Sequence, residues 1–256
     1  MLYKKLIRKF KLLLTLITLY VYRKLGGSWN YFYSLILDYQ ERKTSLNSII
    51  SKNVSHNMKG LYDHTHGTKH LDLLINYGLK VDDKVLDFGC GYGRTAIPLI
   101  KYLNQDNFIG VELSKKRLKL AEEWVEKEKL SHKKAKFINV KDNFLNEISD
   151  NSINIIWTLS VFNHMPDEEL HQCLKTFERI LVNGGKIFFY FEVPALEGDK
   201  AQKDYLSRLK TFPRTEKYMK DIIDQYSYSI FDMEDWRKIL LGEHKKRVRF
   251  WLLTLN

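Results

Sequence analysis

The residues best suited to chemistry lie in one ten-residue stretch, VLDFGCGYGR, at positions 85–94. An acid, Asp87, leads into three glycines at alternate positions, which are Gly89, Gly91 and Gly93. Glycines let the backbone turn tightly and let a ligand approach without meeting Cβ atoms. A dinucleotide site of the form G-x-G-x-x-G would need a glycine where this chain has Arg94. The stretch therefore predicts a ligand-binding turn, and the arginine disfavours a pyrophosphate ligand.

Polar side chains also follow the apolar segments that come later in the chain. They are Glu112, Asp142 with Asn143, Ser160 with His164, and Glu192. The carboxyl ends of parallel strands meet at one edge of a sheet, and ligands bind there near the point where strand order reverses. We therefore expect these side chains to gather beside the glycine turn.

The glycine turn, with a strand-ending acid 19 residues after Gly93, resembles the cofactor motifs of class I S-adenosylmethionine-dependent methyltransferases. The resemblance covers about residues 82–192 and implies that the chain binds S-adenosylmethionine. Asp87 would approach the cationic end of the cofactor's methionine part, and Glu112 would accept from both ribose hydroxyls. A carboxylate suits that second role because it can accept from two hydroxyl donors at once.

The same resemblance implies contacts with the other parts of the cofactor. Leu113 would lie against the adenine ring, while Asp142, assisted by Asn143, would accept from the adenine amino group. The backbone at Ser160 would contact the carboxylate end. The chain departs from the family at Asn154, where many relatives carry Asp. The cradle implied for the cofactor consists of Gly89, Gly91 and Gly93, with Cys90 as a small packed residue among them.

His164, in the segment SVFNH, is the candidate catalytic residue. An imidazole with an ordinary pKa of about 6.5 can take a proton from the methyl acceptor near neutral pH. The alternative is that His164 orders its loop by bonding to backbone. Glu192 either orients the acceptor or is a surface acid. No carboxylate or cysteine cluster accompanies the histidines of residues 63–70 (DHTHGTKH), so we predict no metal site and assign that segment to a lid.

Apolar bursts alternate with helical patterns through the middle of the chain. Strands are predicted at residues 84–88, 108–113, 135–140, 153–159 and 186–191. Helices are predicted from Ala96, from a Ser114 cap to about Leu130, and from Pro166 to a stop at Asn183–Gly185. The alternation predicts an α/β fold, a Rossmann-like doubly wound and mostly parallel sheet with an N-terminal helical extension.

The C-terminal part allows two arrangements. A helix within residues 231–241 and a strand beginning at Arg247 are predicted. The closing pair of strands is either shortened or completed by a strand over residues 226–231.

Positive charge is concentrated at the N-terminal end. Residues 1–60 contain eleven Lys and Arg but two Asp and Glu, so they carry +9 of the net charge of +11. Within residues 1–27, the apolar run 12–22 is 11 residues long, shorter than the roughly 20 that a spanning helix needs. At helical spacing, one side of this segment is a polar stripe of Lys4, Arg8, Lys11, Thr15, Thr18 and Tyr22. The opposite side is apolar and consists of Leu6, Phe10, Leu13, Ile17 and Val21.

This pattern predicts a basic amphipathic helix that lies in the interface of an anionic membrane. The alternatives are a helix packed on the domain or on a second subunit, and a short signal anchor. Three regions follow: this helix at 1–27, a helical cap or lid at 28–80, and a cofactor-binding methyltransferase domain at 81–256.

The leading hypothesis is a methyltransferase that acts on an oxygen or nitrogen of a small-molecule, lipid-linked or glycan acceptor. It would be cytoplasmic and peripheral on the inner face of a membrane, since two scattered cysteines suit a reducing compartment. One alternative is an RNA methyltransferase with a basic N-terminal arm. It is disfavoured because the arm has a continuous apolar face and no NPPY-like segment follows the fourth strand. A second is a catalytically silent membrane adaptor, which the intact glycine turn disfavours.

Overall fold

The structure is a computed structural model that describes residues 28–50, 64–140, 145–194, 212–241 and 247–256, together with Thr18 and Val21. Its helices are α1 (Trp29–Gln40), α2 (Leu46–Ile50), α3 (His64–Asn76), α4 (Ala96–Tyr102), α5 (Lys115–Lys127), α6 (Asp167–Ile180), α7 (Glu216–Ile223) and α8 (Glu234–Leu241). Its strands are β1 (Val85–Phe88), β2 (Phe108–Glu112), β3 (Lys136–Asn139), β4 (Ile153–Thr158), β5 (Leu181–Glu192), β6 (Tyr228–Asp232) and β7 (Val248–Leu255).

The seven strands form one sheet in the order β3-β2-β1-β4-β5-β7-β6. The first five are parallel, and β7 runs antiparallel between β5 and β6. Strand order reverses at β1, whose Asp87 stands opposite Gly110 of β2 and Trp157 of β4. The predicted doubly wound, mostly parallel sheet is confirmed. Of the two arrangements predicted for the C-terminal part, the structure has the complete pair of strands. Strand β6 covers most of the predicted strand at 226–231.

Two hydrophobic layers cover the two faces of the sheet. Side chains alternate between faces along β1, so Val85 joins one layer and Leu86 joins the other. The layer with Val85 contains apolar residues of α3, α4, α5 and α8, and the layer with Leu86 contains those of α6 and α7. Helices on both faces bury β1 and β2 fully, which explains the near-continuous apolar runs of these strands in the sequence.

Two predicted helix ends are wrong by about one turn. Helix α6 ends at Ile180 rather than at Asn183–Gly185, because the fully buried Leu181 already pairs with Ile153 of β4. The register then shifts before Lys186, so the glycine pair lies within an irregular start of β5. Helix α5 ends at Lys127 rather than near Leu130, because Lys129 takes a left-handed φ of 58° and the Leu130 amide donates back to Val125 at 3.0 Å.

The departure at Asn154 has a structural explanation. Its side-chain oxygen Oδ1 accepts a 2.8 Å hydrogen bond from the backbone amide of Lys84, one residue before β1. A carboxylate oxygen of Asp could accept the same bond. The substitution therefore keeps the link between the starts of β4 and β1.

Helix α3 packs against the sheet and against the glycine turn. Its Leu73 and Leu74 are completely buried in the layer that also contains α4. At Gly67 the helix comes so close to the turn that a Cβ atom would lie 2.2 Å from the Arg94 carbonyl oxygen. The absence of a side chain at Gly67 is therefore what allows this approach.

The predicted basic helix of residues 1–27 lies outside the described residues, apart from Thr18 and Val21, which are both exposed. Among the helices that the structure describes, none is long and apolar enough to cross a bilayer.

We predict that Gly67→Ala lowers the free energy of unfolding by about 1–3 kcal/mol, the usual cost of overpacking. The new methyl group would meet backbone atoms that cannot rotate away. Urea denaturation followed by circular dichroism measures the change. Lys69→Ala, at an exposed position of the same helix, is the control and should shift the midpoint little. Equal midpoints for the two variants would contradict the close packing.

Candidate active site

The glycine turn joins the end of β1 to α4 and is fastened to the neighbouring strand. The amides of Gly89 and Cys90 both donate to the Val111 carbonyl oxygen of β2, at 2.7 and 2.9 Å. Gly89 has a φ of 84°, and a Cβ atom there would lie 2.3 Å from Cγ2 of Val161. The turn therefore needs glycine both for its backbone conformation and for the approach of the loop after β4.

The Glu112 carboxylate is buried beside this turn and holds it to the start of α5. Its Oε2 accepts from the Gly91 amide at 3.1 Å, and its Oε1 accepts from the Ser114 amide at 2.9 Å. Burial raises the pKa of Glu112, while Arg117 and these amides lower it in part. A carboxylate has about four lone-pair positions. The backbone of Leu113 also bonds this carboxylate, and the acceptor capacity that remains suits hydroxyl donors of a ligand.

Asp87 lies at the switch point of the sheet with only 3% of its surface exposed. Its Oδ2 is buried and accepts no hydrogen bond from any described residue. Burial raises the pKa of Asp87 to about 7, opposed by Arg94 and increased further by Glu112. A buried carboxylate oxygen without a donor is costly unless a ligand supplies one. Asp87 therefore has the chemistry of a cation-binding group.

Cys90 and Leu113 stand on either side of these acids. The Cys90 thiol is buried, its pKa is raised by burial, and its Sγ would lie 3.1 Å from a Cβ at Gly110. It is a packing residue of the cradle, as the sequence indicated. Leu113 is half-buried, and its carbonyl oxygen accepts from Asn139 Nδ2 at 2.8 Å. The same amide group donates to the Glu112 carbonyl oxygen, so Asn139 fixes the end of β2.

Ser160 follows β4 in a left-handed conformation with a φ of 61°. Its side chain hydrogen-bonds Tyr190 of β5, whose pKa is raised by burial and lowered in part by Arg94. Such strained backbone is concentrated at functional sites. Sequence reasoning missed Tyr190, because its position relative to Ser160 depends on the register between β4 and β5.

His164 lies in a single 3-10 turn, Phe162–His164, beyond β4. Its imidazole stacks on the Tyr33 ring, with 5.7 Å between centroids, and its carbonyl oxygen accepts from Trp29 Nε1 at 3.0 Å. Both Tyr33 and Trp29 belong to α1. The candidate base is therefore held between the end of β4 and the N-terminal helix.

Arg214 fixes the loop that carries His164. The guanidinium is 4% exposed and donates to the carbonyl oxygens of Phe162 and Met165, at 2.9 and 2.6 Å. It also pairs with Asp167 at the start of α6, with 2.7 Å between nitrogen and oxygen. Asp167 lies 47 residues from Arg214 along the chain, so no local pattern in the sequence could indicate this link.

Helix α1 crosses the carboxyl edge of the sheet from the end of β4 to the end of β2. Beyond the contacts with His164, its Asp38 accepts from the Ser114 hydroxyl at 2.6 Å, and Glu41 just after it pairs with Arg117 at 2.8 Å. Burial raises the pKa of Tyr33 to about 12, while Arg117 lowers it in part and Glu112 raises it further. Tyr33 is therefore close to the buried carboxylate, and α1 lies over the cleft.

Some predicted site residues have no described counterpart. Asp142 and Asn143 lie outside the described residues, as does most of the segment after β5 that the sequence assigned to acceptor selection. In the described chain no group of three or more His, Cys, Asp or Glu side chains could bind a metal. His70 is buried and hydrogen-bonds Thr95 Oγ1 at 2.8 Å. The Glu192 amide donates to Asn163 Oδ1 at 2.8 Å.

Comparison with known proteins bears on the region that contains the turn. Residues 85–185 match the family model described as "Methyltransferase domain". The solved structure of magnesium protoporphyrin IX methyltransferase from Synechocystis PCC 6803, with bound S-adenosylmethionine, superposes with a TM-score of 0.62 at 16% identity. That superposition covers 87% of this chain and 97% of the other.

Residues 85–185 thus match a methyltransferase domain, and the fold is that of a solved methyltransferase with bound S-adenosylmethionine.

Two curated proteins match part of the chain at higher identity. The sterol 24-C-methyltransferase erg6 of Aspergillus fumigatus is 32% identical over 114 residues, which are 44% of this chain and 29% of that protein. An uncharacterized methyltransferase of Schizosaccharomyces pombe is 31% identical over 130 residues, 48% of this chain and 46% of that protein. The chain therefore matches less than half the length of either relative.

The range matched by the methyltransferase domain divides the site in two. It includes the glycine turn, Glu112 and His164. It begins after α1 and ends before Tyr190 and Arg214. The groups suited to the cofactor thus lie within the matched range, whereas the helix over the cleft lies outside it.

We predict that Asp87→Asn becomes progressively more stabilising, relative to the unchanged protein, as the pH rises from 5 to 8. An acid with a raised folded-state pKa contributes stability below its unfolded pKa of about 4, and that stability is lost as pH rises toward about 7. The difference in unfolding free energy should change by roughly 2–3 kcal/mol, at 1.36 kcal/mol per pKa unit. Urea titrations at each pH measure it.

Asp72→Asn, at an exposed position on α3, is the matched control for removal of an acid. A difference between Asp87→Asn and the unchanged protein that is the same at pH 5 and at pH 8 would mean that Asp87 titrates normally.

Proposed function

We propose that this chain is an S-adenosylmethionine-dependent methyltransferase whose acceptor is an oxygen or nitrogen of a small-molecule, lipid-linked or glycan compound. The observation that carries the proposal is the Glu112 carboxylate, buried beside a glycine turn and bonded to the backbone on both sides of it. The family match over residues 85–185 supports the reaction type.

The described residues suit two polar parts of the cofactor. The unpaired Oδ2 of Asp87 suits the ammonium of the methionine part, and Glu112 suits the two ribose hydroxyls. The bare turn at Gly89–Gly93 suits the connection between them. Leu113, Asp142 and Asn143 keep their proposed contacts with adenine. When bound, S-adenosylmethionine supplies a methyl group activated by a sulfonium, so covalent help from the protein is unnecessary.

The protein's own contribution is to align the acceptor, exclude water and remove a proton. We assign proton removal to His164, which lies after β4 at the same edge as Ser160. Stacking on Tyr33 and the grip of Arg214 on its loop would hold the imidazole in one orientation. Helix α1 would shield the cleft from water.

An apolar or lipid-linked acceptor has support from two directions. Two similar proteins are a sterol methyltransferase and a magnesium protoporphyrin IX methyltransferase, and both compounds contain a large, mainly apolar ring system. Residues 1–27 hold seven Lys and Arg and no Asp or Glu, which suits an anionic membrane surface. We therefore propose a peripheral location on the cytoplasmic face of a membrane.

We predict that Glu112→Ala weakens S-adenosylmethionine binding by at least about 100-fold, since it removes two charge-assisted hydrogen bonds to the ribose as well as the brace on the turn. Isothermal titration calorimetry measures the dissociation constant. The control is Glu126→Ala, an exposed acid on α5, which should bind as the unchanged protein does. If Glu112→Ala, folded by circular dichroism, binds within threefold of the unchanged protein, the cofactor assignment fails.

We predict that His164→Asn lowers kcat about 100-fold or more while cofactor affinity stays within threefold. The acceptor pool is a lipid extract supplied with isotopically labelled cofactor, and mass spectrometry follows the transferred label. For the unchanged protein kcat should rise with pH through the imidazole pKa, near 6.5 when unperturbed. The variant should lose that rise. Unchanged turnover in the variant would assign His164 to ordering the loop.

A further inference from the structure

Helix α1 has its polar and apolar residues in an unusual arrangement. Asn30 and Ser34 are buried, and Glu41, just beyond the helix, is 9% exposed. Tyr31 and Leu35 are instead exposed, at 36% and 49%. A helix that packs on a domain and faces water normally buries its apolar stripe and exposes polar residues. On α1 the buried side is mixed, because Trp29 and Leu37 are buried with Asn30 and Ser34, while three of the four exposed residues are apolar or aromatic.

The exposed apolar residues form one continuous stripe. Tyr31, Leu35 and Tyr39 are four residues apart, so they lie one above the other on the same side of the helix. Tyr39 has 66% of its surface exposed. The remaining exposed residue of the helix is Gln40. We refer to Tyr31, Leu35 and Tyr39 as the outer face of α1.

The buried side of α1 is explained by what lies beneath it. Asp38 accepts from the Ser114 hydroxyl and from the Lys116 amide at the start of α5, and Glu41 pairs with Arg117. A cleft with buried acids and an arginine requires polar partners from the helix that covers it. The cleft therefore accounts for Asp38 and Glu41, and the apolar outer face needs a separate explanation.

Charge at both ends of the helix indicates what that face contacts. Ser28, which caps α1 through the Tyr31 amide, directly follows the segment 1–27 with its seven cationic and no anionic residues. Arg42 and Lys43 follow the helix and are exposed. Tyrosines with cations beside an apolar stripe are typical of elements at the boundary between headgroups and acyl chains. A second copy of this chain would oppose like charges, so we favour an anionic bilayer.

We propose that the outer face of α1 rests in the interface of an anionic membrane, so that the helix covering the cleft is also a membrane contact. The inference deepens the proposed function, on which it rests for the nature of the cleft. It assigns the bilayer as the side from which the cleft receives its acceptor, a lipid or a lipid-linked compound.

The first experiment measures insertion directly in the full chain. Cys90 and Cys173 are both buried, so Leu35→Cys provides one reactive thiol for an environment-sensitive nitrobenzoxadiazole label. Ile239→Cys on α8, 53% exposed, is the matched control. On addition of vesicles of phosphatidylcholine and phosphatidylserine, we expect the label at position 35, and not that at 239, to shift to the blue and brighten.

The second experiment removes the outer face. The triple variant Tyr31→Ser, Leu35→Ser, Tyr39→Ser should lose at least about tenfold in partition to the same vesicles by flotation, because it removes most of three apolar contacts. The control, Ile75→Ser, Val81→Ser, Ile239→Ser, changes residues of similar exposure elsewhere and should partition normally.

Calorimetry with S-adenosylmethionine separates this inference from the proposed function, because the outer face does not touch the cleft. Normal cofactor binding by a triple variant that floats with vesicles as the unchanged protein does would overturn the membrane contact alone. An unshifted label at position 35 on protein that floats would likewise overturn it, since residues 1–27 would then suffice. A dimer by light scattering that the triple variant abolishes would assign the face to a second copy instead.

Discussion

A single carboxylate, that of Glu112, joins two backbone amides that belong to different parts of the fold. One amide lies in the glycine turn after β1, and the other begins α5 after β2. The turn and the helix start are therefore held at a fixed separation by a group that is itself buried. Other features of the cleft are arranged around this bridge. Arg117 lowers the pKa of the Glu112 carboxylate, and the charge of Glu112 raises the pKa of Tyr33. Helix α1 is held over the carboxylate by Asp38 and by Glu41, just after the helix.

The bridge has an electrostatic cost, because Asp87 is buried within reach of the same charge. Each acid is desolvated, and Glu112 raises the pKa of Asp87 further. Arg94 lowers the pKa of Asp87 and Arg117 lowers that of Glu112. One oxygen of Asp87 still has no donor among the described residues. Buried groups of this kind are unfavourable in isolation and become favourable when a cation or donor arrives. The cleft is therefore organised for a ligand that carries positive charge near one acid and hydroxyl donors near the other.

The sequence predicted the parts of this arrangement that depend on local pattern. The first five strands, the glycine turn and the acid ending β2 follow from apolar bursts and their punctuation, and β1 and β2 end where expected. The turn and Glu112 meet because neighbouring parallel strands end at one edge. The contact between Tyr190 and Ser160 depends on the register between β4 and β5. The contacts of Arg214 join residues that are far apart in the sequence. Neither leaves a periodic trace in the sequence.

The sequence assigned residues 28–80 to a helical cap or lid, but it could not show which face of α1 covers the cleft. Its buried residues are Trp29 and Leu37 together with Asn30 and Ser34, and its exposed residues include Leu35, so the rule that apolar residues point inward selects no single face. That rule assumes an apolar core on one side and water on the other. Here the covered side is a polar cleft. The α6 boundary failed similarly, because burial of Leu181 outweighed the glycine signal that follows it.

The approach of Gly67 to the Arg94 carbonyl gives the glycine turn a wall built by chain that precedes the family match. Transplanting residues 85–185 into another methyltransferase would carry over the motif but leave this wall behind. Such a chimera would need its own helix at this position, with no side chain facing the Arg94 carbonyl. Without that helix, the glycine turn would relax into the empty space. The cleft can therefore be exchanged between relatives only together with Gly67, which lies outside the matched range.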